Sequence, residues 1–381
     1  MSYIHIKSDR DASGLTDDLS SGGRIALDCE AAGFHRYSDR LCLVQISTAT
    51  ATYIVDPLSF DPSALLRETL EDPDREIIMH GADFDLRLLL RDLGIQLHGL
   101  FDTQIAAALL GLDALGLAPL LEKRFGVKLS KKYQRADWAE RPLTDGMLDY
   151  AAADTGYLMG LRDQLGEELA DAGRSTWVAQ ECGALEVSAT VPKANAGSKD
   201  PVARVKGARD LSPRQVTALR VALNWRDELA RELDKAPFRV IGNGPLIEAV
   251  AMHPQHAEQL SSIKGFPRSL AKGDGHQLVK RLQDVVDLPE GELEPYPRQK
   301  GGGPGRPPPE AEQLFEKLKG VRNQKADELG LARGTLLANG VLLDVAVAAP
   351  TTGEALAARA GMRPWRMDLL GDELIAAVLS Q

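Results

Sequence analysis

Asp28 and Glu30 stand two residues apart in the run RIALDCE. In an extended strand, residues i and i+2 point to the same face, so these carboxylates converge. Converging carboxylates repel each other unless a cation neutralises them. An ordinary acid pair at an exposed strand end has the same spacing. A third acid, Asp85, lies in MHGADFDL at the start of a helical pattern. Acids are common at such starts because the helix dipole favours them, and Asp83 competes for the same role. Asp102, in FDTQ, is a further acid between apolar segments. Tyr150 and Asp154 enclose three alanines in a helical segment. Positions i and i+4 share a helix face, so the phenol and the carboxylate point together. Asp154 could simply be solvated; the alanines point instead to another backbone or a ligand approaching closely.

The elements that must position these residues follow from periodicity. Arg24–Glu30, Leu41–Thr48, Thr52–Val55 and Glu76–His80 read as strands, the second and third as a hairpin beside the first. Ser63–Leu70 fits a short helix capped by Ser63 after Pro62. Leu86, Leu89, Leu90 and Leu93 give Asp83–Leu93 an apolar helical face. Thr103–Leu110, Gly116–Phe125 and Thr144–Leu169 continue as helices. Antiparallel strands followed by helices make an α/β domain. Residues 190–210 are rich in Pro, Gly, Ala and Lys without periodicity, as in a linker. From Ser212 the pattern is helical: Ser212 caps, Pro213 takes the first helical position, and Val216, Leu219, Leu223 and Leu229 form a stripe. Pro245–Met252 and Leu278–Val286 read as further helices. The expected organisation is an α/β domain at 1–189, a linker at 190–210 and a helical domain at 211–288. A Gly/Pro-rich linker at 289–309 and a second helical domain at 310–381 complete it.

The 381 residues are 44% hydrophobic and 26% charged, which excludes a wholly disordered, collagenous or membrane-embedded chain. The formal net charge of −10 does not advertise a nucleic-acid partner, whose usual footprint is basic. The distribution is uneven. Residues 1–200 carry 20 basic and 32 acidic groups, whereas residues 201–310 carry 17 and 14. Cys29, Cys42 and Cys182 form no disulfide framework and no repeated Cys-x-x-Cys spacing. No apolar run reaches the roughly 18 residues that span a bilayer, and no signal core opens the chain. A cytoplasmic location without membrane contact is expected, and no protein partner is readable.

Together, in their order and spacing, these residues resemble the three-motif signature of the DEDD 3′→5′ exonucleases, in the subtype with a tyrosine in the third motif. Asp28 and Glu30 match the first motif, Asp85 the second, and Tyr150 with Asp154 the third. LDCEAAGFHRYSDRLCLVQIST, MHGADFDLRLLLRDLGI, LFDTQIAAALL and KKYQRADWAERPLTDGMLDYAAADTGYL are similar to the ribonuclease D family. LSPRQVTALRVALNWRDELARELDKAPFRVI, LIEAVAMHP and the IKGFP loop resemble an HRDC domain, a helical nucleic-acid-binding module of that family. LGLARGTLLANGVLL and MRPWRMDLLGDEL look like a second HRDC-like repeat. The resemblance implies an α/β RNase H-like exonuclease domain followed by all-α HRDC-type helical domains.

The implied activity is removal of nucleotides from RNA 3′ ends, tRNA precursors foremost, with two divalent metal ions (Mg²⁺ or Mn²⁺) per active site. Asp28, Glu30, Asp85 and Asp154 would be the metal ligands, since hard cations prefer oxygen. In this scheme Asp28 bridges both ions. Glu30 and Asp154 complete the water-activating site, and Asp85 serves the leaving-group side. Products would be 5′-nucleoside monophosphates. Tyr150 is the fifth catalytic residue; with a reference pKa near ~10 it suits orienting water better than serving as a base. A related subtype uses a histidine near this position, and none of the seven histidines lies in this segment.

His80 and His35 more simply pack or hydrogen-bond locally. Phe34 and Tyr37 could stack on a terminal base or serve packing. Gln104, Lys132, Arg135, Asp137 and Trp138 sit in family-like text; Lys132 or Arg135 could touch phosphate or pair with a local acid. Arg214, Arg220, Arg226 and Arg231 are phosphate candidates, with Asp227–Arg231 a solvated i,i+4 pair as the competing account. Cys29 reads as a buried filler, or as an oxidation-sensitive thiol. A DNA 3′→5′ exonuclease of the same superfamily and a non-catalytic RNA-binding protein are the alternatives. A helicase is disfavoured because no G-x-x-x-x-G-K-[ST] loop occurs. The positive excess in residues 201–310 leads us to expect weak intrinsic attraction to RNA, salt-sensitive in the helical part.

Overall fold

The computed structural model describes residues 2–191, 200–297 and 308–380. They divide into two units. One contains Met1–Ala31, Leu41–Val191 and Pro304–Gln381; the other contains Ala32–Arg40 and Pro192–Gly303.

The first unit is built on a mixed sheet of β1 (Ile4–Ile6), β2 (Ile25–Ala31), β3 (Leu41–Ser47), β4 (Thr52–Val55), β5 (Ile77–Met79) and β6 (Leu100–Asp102). The spatial order is β1-β4-β3-β2-β5-β6. β2, β3 and β4 pair antiparallel, as the hairpin pattern indicates, while β1, β5 and β6 join in parallel. β1 and β6, three residues each, are too short to announce themselves by alternation. All of β3, LCLVQIS, is buried. A continuous apolar run of this kind marks a strand covered on both faces.

Helices α1 (Ser13–Ser20), α2 (Ser63–Leu70), α3 (Asp83–Leu88), α4 (Thr103–Leu109), α5 (Leu117–Phe125), α6 (Asp145–Thr155), α7 (Leu158–Asp171) and α8 (Ser175–Thr190) belong to the same unit. Ser63 does not cap α2: Pro62 holds that position, and the Asp61 carboxylate accepts from the Ser63 N–H at 2.9 Å. The helical run after Asp83 changes to a π-turn at Leu89–Leu93 and ends on left-handed Gly94. The single helix expected over Thr144–Leu169 is broken between α6 and α7. Thr155 is tied to Ser47 of β3 by a 2.7 Å hydroxyl contact, and Gly156 follows, a weak helix former. Ala151 and Ala152 are fully buried where α6 crosses the strands β2, β3 and β4. The approaching backbone implied by the alanines is therefore that of the sheet.

The second unit is helical: α9 (Pro213–Glu232), α10 (Pro237–Val240), α11 (Asn243–Met252), α12 (Ala257–Leu260), α13 (Arg268–Lys272) and α14 (Gly275–Val286). α9 starts on a complete capping box, with Ser212 and Gln215 each accepting from the other's backbone N–H. Val216, Leu219, Leu223 and Leu229 enter its core with Leu278 and Val285. Residues 201–210, in the stretch that reads as linker, also belong to this core through Val202, Val205 and Ala208. Three apolar side chains spaced by three residues supply that anchor, hidden by the surrounding Pro, Gly and Lys. Residues 192–199 of that linker, and residues 298–307 of the second linker, lie outside the described residues.

Helices α15 (Pro309–Leu329), α16 (Arg333–Leu336), α17 (Asn339–Ala348), α18 (Gly353–Ala357) and α19 (Pro364–Leu379) return to the first unit. The segment that reads as a separate tail shares one core with the sheet. The Trp177 and Trp365 rings stack at 4.6 Å, and Trp365 Nε1 donates to Glu181 at 2.8 Å. Among the described residues no helix is long and apolar enough to cross a membrane.

Candidate active site

Strand pleating places Asp28 and Glu30 on one face of β2, and α6 lays Asp154 beside them. Carboxylate oxygens of Asp28, Glu30 and Asp154 lie within 4.8 Å of one another. Asp85, buried in the first turn of α3, is close enough to be repelled by Asp28. Burial, ahead of mutual repulsion, pushes these acids far above the ordinary carboxylate range. Glu30 rises to about 10, with Asp28, Asp154 and Asp85 adding repulsion. Asp154 rises to about 8 through burial and then Asp28. Asp28 rises to about 7 through burial, partly offset by the Cys29 N–H. Asp85 is pushed up by burial and then by Asp28. No cationic side chain among the described residues offsets Asp28, Glu30 or Asp154. Half-buried, uncompensated, all-oxygen donors at this spacing fit divalent cations.

Asp83 and Asp102 are distinguished from Asp85 by their partners. Asp83 turns to Arg87 of the next helical turn at 3.0 Å. Asp102 caps α4 by accepting from Gln104 and Ile105, and also accepts from Gly81 at 3.0 Å and Ala82 at 2.8 Å. It therefore holds the loop that leads into Asp85. Gly81 takes φ +74 in that loop, a conformation that favours glycine.

Tyr150 lies between two aromatic rings, Trp138 at 6.0 Å and Tyr133 at 6.2 Å between centroids. Burial and then Asp154, Glu30 and Asp28 push its phenol well above its ordinary value. It stays protonated at neutral pH. A tether that sequence reading missed supports this wall. Arg141 grips Asp56 with two 2.8 Å bonds and donates to the Trp138 carbonyl at 2.7 Å. The two residues are 85 apart in sequence, and no local pattern announces them.

The remaining candidates resolve individually. His80 Nδ1 meets the Thr103 hydroxyl at 2.9 Å and His35 Nε2 meets Arg239 at 3.1 Å. Cys29 packs in the core with its thiol pushed up by burial, which leaves the filler reading. Lys132 sits over the Tyr133 ring at 4.9 Å, Arg135 is exposed, and Asp137 accepts from the Ala139 N–H. In the second unit, Arg214 donates to carbonyls ending α14 and Arg220 pairs with Asp200. Arg226 bonds Asn243 at 2.7 Å, and Arg231 bonds Asp227 at 2.9 Å and the Tyr37 hydroxyl at 2.8 Å. Arg214, Arg220 and Arg226 are committed inside the fold, which weighs against their use as phosphate contacts, whereas Arg231 is 61% exposed in the solvated i,i+4 pair. Phe34 remains 38% exposed, packed on Phe238 and Arg239.

Comparison with known proteins agrees with this geometry. Residues 3–170 match the family described as 3'-5' exonuclease, and residues 216–282 and 311–378 each match the HRDC domain. A ribonuclease D of Xanthomonas oryzae is 31% identical over 328 residues, 85% of this chain and 87% of that protein. The chain belongs to the ribonuclease D family. A second ribonuclease D, from Granulibacter bethesdensis, is 29% identical over 97% of this chain and 91% of its own length. The crystal structure of Escherichia coli RNase D superposes with a TM-score of 0.66 at 25% identity, covering all of this chain and 99% of that one. As a ribonuclease D, the protein is a 3′→5′ exoribonuclease with a mixed-sheet exonuclease domain followed by HRDC helical domains. Asp28, Glu30, Asp85, Tyr150 and Asp154 all fall inside the matched exonuclease region.

Proposed function

We propose that this ribonuclease D trims the 3′ ends of tRNA precursors and other structured RNAs in the cytoplasm, releasing 5′-nucleoside monophosphates. The observation that carries the reading is the half-buried set Asp28, Glu30 and Asp154, with oxygens within 4.8 Å and no cationic side chain among the described residues to offset them. Asp28, Glu30, Asp154 and Asp85 hold two divalent cations, Mg²⁺ or Mn²⁺. When bound, such ions supply Lewis acidity to the attacking water and to the leaving oxygen. Tyr150, protonated and fixed by Trp138, orients the attacking water through its hydroxyl. Hydrolysis forms one O–P bond from water and breaks the bond to the preceding nucleotide's 3′ oxygen. That oxygen leaves as a 3′-hydroxyl. The high proton affinity of the acids keeps the site neutral without cations. The E. coli RNase D is an exoribonuclease involved in structured RNA processing, and its fold and length match this chain, which supports a structured substrate here.

The test is digestion of a tRNA bearing an extended 3′ tail, beside matched RNA and DNA oligonucleotides, with products mapped. Stepwise shortening of the tail to mononucleotides, with RNA preferred, supports the reading. Cleavage of DNA alone, or internal cuts, contradicts it.

A further inference from the structure

Gln45 lies in β3 directly opposite Asp28 in the antiparallel β2–β3 pair. Residues opposed across an antiparallel pair share a sheet face, so Gln45 rises on the face that carries Asp28 and Glu30. α6, the helix of Tyr150 and Asp154, covers that face: two residues along β3, Ser47 bonds Thr155.

Gln45 is 0% exposed, and neither its amide nitrogen nor its oxygen has a hydrogen-bond partner among the described residues. Buried side-chain polar groups are nearly always satisfied, so a doubly orphaned amide calls for an explanation. Its neighbour on the same strand face is satisfied, because Ser47 meets both Thr52 and Thr155. Packing alone does not ask for an amide here; leucine or methionine would fill β3 without leaving two polar atoms unpaired. A second orphaned donor flanks the site, the Nε1 of buried Trp138, whose ring adjoins Tyr150. Opposed Cβ atoms in such a pair stand about 4.5–5.5 Å apart, within the reach of a glutamine side chain to a neighbouring carboxylate.

We propose that Gln45 is a positioning residue for Asp28, its Nε2 donating to the Asp28 carboxylate and holding that group toward Glu30 and Asp154. The proposal rests on the reading of Asp28 as a cation ligand. A ligating carboxylate keeps lone pairs that an outer donor can fix, and such outer donors set ligand orientation. A donor role toward a ligating carboxylate accounts for a polar group kept in a dry strand.

The experiment uses the full-length chain with Gln45→Met, Gln45→Leu and, as reference, Asp28→Asn. Three readouts are taken: metal-free thermal unfolding, Mn²⁺ binding by calorimetry, and steady-state trimming of an RNA oligonucleotide. Gln45→Met is expected to unfold at or above the wild-type temperature. It should bind Mn²⁺ roughly 10–100-fold more weakly and lower kcat by a similar factor at unchanged KM. Wild-type Mn²⁺ affinity and kcat in Gln45→Met would overturn the proposal. So would failure of both Gln45→Met and Gln45→Leu to fold, since the amide would then serve the core. Wild-type Mn²⁺ binding by Asp28→Asn would instead overturn the ligand reading of Asp28 beneath it.

Discussion

Arg141 closes two 2.8 Å hydrogen bonds onto Asp56, a carboxylate only 1% exposed at the end of β4. Burial works against the ionised Asp56, yet the Arg141 bonds and charge hold its pKa below the ordinary value. The same guanidinium donates to the Trp138 and Cys42 carbonyls, fixing the segment that walls Tyr150. Removing one partner of such a pair strands a buried charge, at a cost of about 3 kcal/mol or more. Arg141→Ala should therefore lower the unfolding free energy by about that amount, seen as a lower denaturant midpoint at unchanged m, and reduce kcat. Arg141→Lys, which keeps the charge but not the fork, should fall between. An unchanged midpoint in Arg141→Ala would show that the pair is not structural.

The acid cluster gives stability a definite slope against pH. Folded carboxylates at about 7 (Asp28), 8 (Asp154) and 10 (Glu30) stand far above unfolded values of about 4. Between those limits the folded state binds more protons than the unfolded state, so metal-free stability falls as pH rises. The decline begins above about pH 4 and extends through the folded values. Chelator-treated protein should lose melting temperature from pH 5.5 to pH 8.5, and added Mg²⁺ should restore more at the higher pH. In Asp28→Asn the slope should be shallower. Equal slopes in the two proteins would refute the electrostatic account.

Tyr150 is pushed above its already high ordinary pKa, so its proton stays on through neutral and mildly alkaline pH. Its contribution is a hydrogen bond rather than a deprotonated base. Tyr150→Phe should lower kcat by roughly 10²-fold with little change in RNA affinity, and should leave the alkaline limb of the pH–rate profile in place. Loss of that limb in the variant would make the phenol the titrating base.

That Asp28 and Glu30 share a strand face, and Tyr150 and Asp154 a helix face, was legible because each spacing is local: two positions apart on a strand, four apart on a helix. Spacing alone did not separate Asp85 from Asp83, because both sit in the first turn of α3; the motif resemblance chose Asp85, and Arg87 on the next turn takes Asp83. Asp102 looked like one more candidate acid, yet four backbone N–H groups use it. Those partners come from two loops about 20 residues apart, which no periodicity reveals. The helices after residue 309 showed amphipathic faces without showing what those faces meet. Trp365 reaches Glu181 across 184 residues.

That contact carries its own expectation. Trp365 is 1% exposed, stacked on Trp177, and its indole nitrogen is spent on Glu181. Trp365→Ala should cost about 3 kcal/mol, lowering the denaturant midpoint of the sheet unit together with that of the C-terminal helices. A midpoint shift confined to helical signal, with near-wild-type stability of the sheet, would contradict a shared core.

The most direct measurement is Mg²⁺-dependent trimming of a 5′-labelled, 3′-extended tRNA by the wild-type chain and by Asp28→Asn. The account expects stepwise 3′ shortening by the wild type, none in chelator, and none by Asp28→Asn although that variant still binds the RNA. Trimming by Asp28→Asn at the wild-type rate, or by the wild type in chelator, would contradict it.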